Sequence, residues 1–140
     1  MKTQNLVLKE KQSEQIPMLL SKLWVFLSLN YILCDLLSNM EMSVIRGLFE
    51  GNIAGIPMSE GFLLLAEISL EIPILMVVLS TILPYKANKR LNIGVGILMI
   101  IYQLGSYFAG SDVTLHYMFL STVEILGNVS IIVLALKWKR

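Results

Sequence analysis

The chain has 140 residues, of which 56% are hydrophobic and only 15% are charged, and its formal net charge at pH 7 is +1. Soluble domains carry about 25% charged residues, so a mean hydropathy of +0.72 excludes an ordinary water-soluble fold. The basic residues fall in small groups at segment ends, which excludes a nucleic-acid-binding surface. The composition indicates a single-domain membrane protein.

The first long apolar segment, at 18–40, follows a polar segment at 1–17. Further apolar segments follow at 60–83, 91–109 and 114–138. About 20 apolar residues are enough for a helix to cross a hydrocarbon layer of roughly 30 Å. Because lipid offers the backbone no hydrogen-bond partners, each segment is predicted to be a helix. The predicted fold class is therefore all-α, an antiparallel four-helix transmembrane bundle at 18–140.

The connection at 41–59 is the longest of the predicted loops, and it is rich in glycine. We predict a flexible or interfacial loop there, with a short amphipathic helix at 41–50 as the alternative. Trp24 and Trp138 lie near the inner boundary of the first and last spans, which is where tryptophan side chains anchor helices at the membrane interface. The sequence therefore predicts an interfacial position for both.

The distribution of basic residues predicts the orientation. The chain has 11 Lys and Arg residues, and four spans place all of them on one side of the membrane except Arg46. Cytoplasmic loops and termini carry the excess of Lys and Arg. Both termini, including the segment at 1–17, are therefore predicted to be cytoplasmic. The predicted location is the cell membrane, which is the cytoplasmic membrane if the protein is bacterial.

Four carboxyl groups lie inside the predicted spans and away from their ends: those of Asp35, Glu67, Glu71 and Glu124. An ionised acid at the centre of a membrane helix costs about 2.5–3.5 kcal/mol on insertion scales. With a rise of about 1.5 Å per residue, all four fall between the outer boundary and the midplane. The sequence therefore predicts an acidic layer whose carboxyl groups are buried inside the bundle, hydrated or protonated.

Polar residues accompany these acids at helical spacing. Tyr31 lies four residues before Asp35, and Tyr117 and Asn128 share a face of the last span with Glu124. Side chains three or four residues apart on a helix are neighbours. The hypothetical ligand- or proton-binding residues are therefore Asp35, Glu67, Glu71, Glu124, Tyr31, Tyr117 and Asn128. Alternatively, these polar stripes hydrogen-bond the helices to one another.

Three functions remain open at this point. The first is binding or transport of a proton, a cation or an amphipathic small molecule at the acidic layer. The second is an enzyme that acts on an apolar, lipid-like substrate by carboxyl acid–base chemistry, with Glu71 and Glu124 as the pair and Asn128 or Tyr117 as the orienting group. The third is a structural or assembly subunit. The sequence favours a protein without enzymatic activity.

Expected partners follow from the same features. The lipid bilayer is one, and a small-molecule or cation ligand is another. A parallel homodimer or a monomer is expected, because the charge bias fixes a single orientation in the membrane. Nucleic acid is excluded as a partner. The sequence contains no motif for a cofactor, and neither a cofactor nor a metal is expected.

The order of several short motifs resembles an uncharacterised family of short bacterial four-helix membrane proteins, classed as a domain of unknown function. The matching residues are Leu23 with Trp24, Tyr31 with Asp35, Gly47, Gly55, Ile72 with Pro73, Leu79 with Ser80, Asn88, Arg90, Asn92 and Glu124. The resemblance covers most of the chain from about residue 20. It implies a four-helix integral membrane fold and no established activity. Glu67 and Glu71 are not clearly part of this pattern.

Overall fold

The computed structural model describes residues 2–53, 56–109 and 114–139, and the side chains of 14–53, 56–107 and 114–139 within them. Five helices occupy these ranges: α1 (Lys2–Ser38), α2 (Met42–Phe49), α3 (Glu60–Ile82), α4 (Tyr85–Ala109) and α5 (Leu115–Lys137). Two short strands, β1 (Asn52–Ile53) and β2 (Ile56–Pro57), pair antiparallel between α2 and α3. The prediction of an all-helical fold is confirmed for this part of the chain.

The ends of α3 follow from local chemistry. Ser59 caps its first turn, because the Ser59 hydroxyl accepts a hydrogen bond from the Phe62 N–H at 3.2 Å. At the other end, Pro84 disfavours a helical conformation for the residue before it. Leu83 accordingly has extended backbone angles (φ −77°, ψ 145°). Because α4 begins directly after Pro84, the chain reverses sharply between α3 and α4.

Two segments differ from the prediction. The segment at 1–17, predicted only as polar, is helical from residue 2 onward and continues directly into the first apolar segment. The connection at 41–59 is not a plain loop, because it contains α2 at the position of the predicted amphipathic helix, followed by the strand pair. Gly51 lies between these two elements with a φ of 74°, a conformation that glycine adopts without strain.

The four long helices pack in a ring. α1 packs against α3 on one side and α5 on the other, α5 packs against α4, and α3 makes a smaller contact with α4. At one end, the Thr114 hydroxyl donates to the Glu41 carboxylate at 2.9 Å, and His116 Nε2 lies 3.1 Å from the same oxygen. At the opposite end, the Tyr85 hydroxyl donates to the Trp138 carbonyl oxygen at 2.9 Å. We name the end at Thr114, where α4 ends and α5 begins, the α4–α5 end.

The core is narrow and continuous. It consists of Leu20, Trp24, Leu27, Tyr31, Met76, Met99, Ile131 and Trp138. Helices α1 and α5 approach closely at Gly127, where an added Cβ would lie only 2.6 Å from Leu27 Cδ2. Large apolar side chains also cover the outside of every long helix. An exposed apolar surface of this extent indicates contact with lipid or with other proteins.

Among the described residues, three helices are long and apolar enough to cross a membrane. They are Glu14–Ser38, Glu60–Ile82 and Leu115–Lys137, with mean hydropathies of 1.5, 2.3 and 2.0. Helix α4 is of similar length, but its first two turns carry Lys86, Lys89 and Arg90. By length and composition, α1, α3 and α5 can therefore cross a membrane. A fourth span in α4 stays a prediction.

Candidate functional site

Glu124 is the acid that the fold encloses. It lies on the face of α5 that packs toward α1, and its side chain is fully buried. Neither of its carboxyl oxygens hydrogen-bonds to any described residue. No described basic side chain forms an ion pair with it. A buried carboxylate without a partner is strongly unfavourable, so this group requires a proton or a positively charged ligand.

Tyr31 and Asn128 are the polar neighbours of Glu124. Asn128 Nδ2 donates one hydrogen bond to the Tyr31 hydroxyl at 2.6 Å and another to the Glu124 backbone carbonyl at 2.9 Å. The amide oxygen of Asn128 has no partner among the described residues. Three buried side-chain oxygens are therefore free to accept hydrogen bonds, two on Glu124 and one on Asn128. Such an arrangement suits a ligand that donates hydrogen bonds or carries positive charge.

A second polar layer lies one turn closer to the α4–α5 end. Gln103 Nε2 on α4 donates to the Ser121 hydroxyl on α5 at 2.6 Å. Tyr117 lies one turn before Ser121 on α5, closer to the α4–α5 end. Its hydroxyl forms a hydrogen bond with Ser106 and interacts with Ser121. The hydroxyls of this layer connect α4 to α5. They lie between Glu124 and the α4–α5 end.

The other three predicted acids do not join Glu124 in the interior. Asp35 is exposed on α1, although it lies within electrostatic range of Glu124. Glu67 and Glu71 are exposed on α3, whose buried residues are Pro73, Met76 and Ser80. At about 100° per residue, Glu67 and Glu71 lie on the side of α3 opposite these buried residues.

The seven predicted site residues therefore fall into two groups. Tyr31, Asn128 and Glu124 are brought together, with Tyr117 at the next layer, whereas Asp35, Glu67 and Glu71 lie on the outer surface. The pair of Glu71 and Glu124, which the enzyme hypothesis required, is divided between an outward surface and the interior. Ligand binding by these residues stays a prediction.

A separate buried network joins α1, α3 and α4 toward the opposite end. Asn92 Oδ1 accepts hydrogen bonds from Trp24 Nε1 at 2.7 Å and from the Ser80 hydroxyl at 3.2 Å. Asn92 Nδ2 donates to Asn88 Oδ1 at 2.6 Å, and Asn88 Nδ2 donates to the Ser80 carbonyl at 2.6 Å. All four side chains are fully buried. Because its polar atoms are paired, the network serves packing.

This network explains the burial of Trp24. The side chain is fully buried between the helices, and its interfacial position stays a prediction. Its indole N–H requires a partner when it is buried, and Asn92 supplies one from a distant part of the sequence. The spacing of Asn88 and Asn92, four residues apart, was the available signal for a polar face on α4.

The described residues contain no group of three His, Cys, Asp or Glu side chains that could hold a metal ion. The site at Glu124 supplies one carboxyl, one amide oxygen and one phenol. Among these possible ligands for a cation, the carboxyl is the single acid. A proton or a singly charged cation fits this set better than a divalent ion, which prefers several carboxylates.

Comparison with known proteins gives a family and no activity. No curated protein matches the chain, and no solved structure matches it. Residues 8–140 match the family described as "Family of unknown function (DUF6326)". This match confirms the resemblance to an uncharacterised family. The matched range includes the core helices and the buried site at Glu124. The chain belongs to the DUF6326 family of unknown function.

Proposed function

We propose that the protein is an integral membrane protein of four spans that binds a proton or a small cation at Glu124. The fourth span is α4 over 91–109, a predominantly apolar stretch that begins after its basic first turns. Both termini are cytoplasmic in this proposal, because only Arg46 among the 11 Lys and Arg residues then lies outside.

The observation that carries the proposal is the complete burial of Glu124 with both carboxyl oxygens unpartnered. A group whose only purpose was to join helices would form hydrogen bonds across the interface, as Asn92 does. The unpartnered amide oxygen of Asn128 adds a second acceptor beside it. Binding of a proton or cation at Glu124 would stabilise this arrangement, and release would leave an unfavourable buried charge.

Infrared difference spectroscopy on the purified protein in lipid nanodiscs tests the proposal. A protonated carboxyl without hydrogen-bond partners absorbs at a higher C=O frequency than a hydrated one. We expect a high-frequency carboxyl band that changes between acidic and alkaline buffer, or when Na⁺, K⁺ or NH₄⁺ is added. Glu124→Gln should remove this band completely, because the band arises from one buried group.

Glu67→Gln is the matched control, because Glu67 carries the same carboxyl on an exposed face of α3. This variant should keep the high-frequency band with its full amplitude. A band that persists in Glu124→Gln would contradict the proposal, as would a band that responds neither to pH nor to any of the three cations.

A further inference from the structure

Hydrogen-bonded side chains connect the α4–α5 end to the neighbourhood of Glu124. The Tyr117 hydroxyl contacts Ser106 and interacts with Ser121. Gln103 Nε2 donates to the same Ser121 hydroxyl at 2.6 Å. We name Ser106, Tyr117, Gln103 and Ser121 the polar column. Its members form one chain of polar contacts between α4 and α5.

Exposure falls along the polar column toward Glu124. Ser106 and Tyr117 are half-buried, Gln103 is 5% exposed, and Ser121 and Glu124 are fully buried. Ser121 lies three residues before Glu124, so the two side chains occupy successive turns of one helical face. The column therefore begins at the partly exposed side and ends one turn from the carboxyl.

On the other side of Glu124, the polar contacts end at Asn128 and Tyr31. Leu27 and Ile131 are fully buried there, and Gly127 packs so closely that a Cβ would lie 2.6 Å from Leu27 Cδ2. We name Leu27, Gly127 and Ile131 the apolar seal. None of the three carries a side-chain donor or acceptor, so they offer no group that would carry a proton onward from Asn128 and Tyr31.

We infer that the ligand of Glu124 is a proton, which arrives from the α4–α5 end along the polar column and does not cross the apolar seal. This inference rests on the proposed function and specifies its ligand and route. A larger cation is disfavoured, because the side chains of the column are bonded to one another and would have to separate to let it pass.

The transfer conserves protons and involves no redox change. The Ser121 hydroxyl gives its proton toward a Glu124 carboxylate oxygen and takes another from the Tyr117 hydroxyl. Tyr117 in turn takes a proton from Ser106, which takes one from solvent. One bridging water, or a rotation of the Glu124 side chain, completes the step between Ser121 and the carboxyl.

Several titratable groups face Glu124 from the packed helices. Helix α1 contributes Tyr31, Cys34 and Asp35, and α5 itself contributes Tyr117. Helix α4 contributes the uncharged Gln103 at this level. Asp35 is exposed on α1 and lies outside the polar column, so the proposed route does not pass through it.

Time-resolved infrared spectroscopy after a pH jump tests the route. The protein is oriented in proteoliposomes, and the rate of change of the Glu124 carboxyl band is measured after a jump on each side separately. We expect a fast response from the side of the α4–α5 end alone. Ser121→Ala should slow that response by about 100-fold, because it removes the hydroxyl that relays the proton. Gln103→Leu should also slow it, because it removes the amide that positions the Ser121 hydroxyl.

Three further variants separate proton transfer from a loss of structure. Ser121→Thr keeps the hydroxyl and should restore a rate within about twofold of the original. Ser130→Ala and Thr122→Val remove hydroxyls from the exposed face of α5, where each bonds only its own helix backbone, and they should leave the rate unchanged. The band amplitude should be the same in all five variants.

Three results would overturn the inference while leaving the proposed function intact. The first is an equal response from both sides of the membrane, and the second is an unchanged rate in both Ser121→Ala and Gln103→Leu. The third is a high-frequency band that Na⁺, K⁺ or NH₄⁺ removes at constant pH, because the cation would then displace the proton and be the ligand. Failure of the proposed function differs from all of these, since the band would be absent or independent of Glu124.

Discussion

Replacing Asn92 by leucine should destabilise the protein by about 3 kcal/mol, because buried polar groups that lose their partners are costly. Asn92 accepts hydrogen bonds from Trp24 and Ser80 and donates to Asn88. Leucine has similar volume but offers none of these contacts. The variant therefore leaves the indole N–H, the Ser80 hydroxyl and the Asn88 amide oxygen unsatisfied within one network.

The measurement is the free energy of unfolding in mixed micelles, taken from the fraction unfolded as the denaturing detergent increases. Asn30→Leu is the control, since Asn30 bonds only the Phe26 carbonyl of its own helix. We expect that control to change stability by less than about 0.5 kcal/mol. Equal losses in Asn92→Leu and Asn30→Leu would show that the buried network contributes nothing specific.

Replacing Gly127 by valine should cost about 2–3 kcal/mol, because overpacking a filled interface forces side chains or backbone to move. The Cβ alone would lie 2.6 Å from Leu27 Cδ2 and 3.2 Å from Leu27 Cγ. Leu27 is fully buried, so its side chain has little free space into which it can rotate. Helices α1 and α5 would have to separate at the level of the site.

A compensating substitution identifies the cause of that loss. Leu27→Ala creates space at the contact, so the double variant Gly127→Val with Leu27→Ala should lose less stability than the sum of the single variants. Gly105→Val is the control, because nothing lies within 4 Å of a Cβ at Gly105. Strictly additive losses in the double variant, measured by the same detergent titration, would contradict close packing between α1 and α5 as the reason.

The helical fold followed from local sequence. Runs of apolar residues define helices in lipid without reference to the rest of the chain, and the helix of the last span was predicted within two residues at each end. The pairing of Glu124 with Asn128 on one face was also predictable, because a spacing of four residues defines a shared face on a helix.

The rotation of α3 could not be predicted in the same way. Glu67 and Glu71 share a face by spacing, but large apolar residues surround them on every side of that helix. Since large apolar residues lie on every face of α3, its sequence does not indicate which face packs inward. The inward face is determined by polar contacts with other helices, such as the hydrogen bond from Asn88 to the Ser80 carbonyl.

The burial of Trp24 illustrates the same limit. Its distance from the end of the apolar segment was typical of an interface anchor. The partner that allows its burial lies 68 residues further along the chain. Neither residue indicates the other in sequence, so a long-range hydrogen bond of this kind becomes visible only in the folded structure.

The outward carboxyls of α3 have a consequence for the surrounding bilayer. Glu71 lies 11 residues after Glu60, which corresponds to a depth of about 16 Å from the start of the helix. Exposed carboxyl groups at such depth draw water and lipid headgroups toward them and thin the membrane locally. We expect this thinning to be deepest beside α3 and absent beside α5, since the outer surface of α5 carries no carboxyl among the described residues. Such a one-sided deformation would favour thinner regions of a membrane, because mismatch in thickness sorts proteins between bilayers.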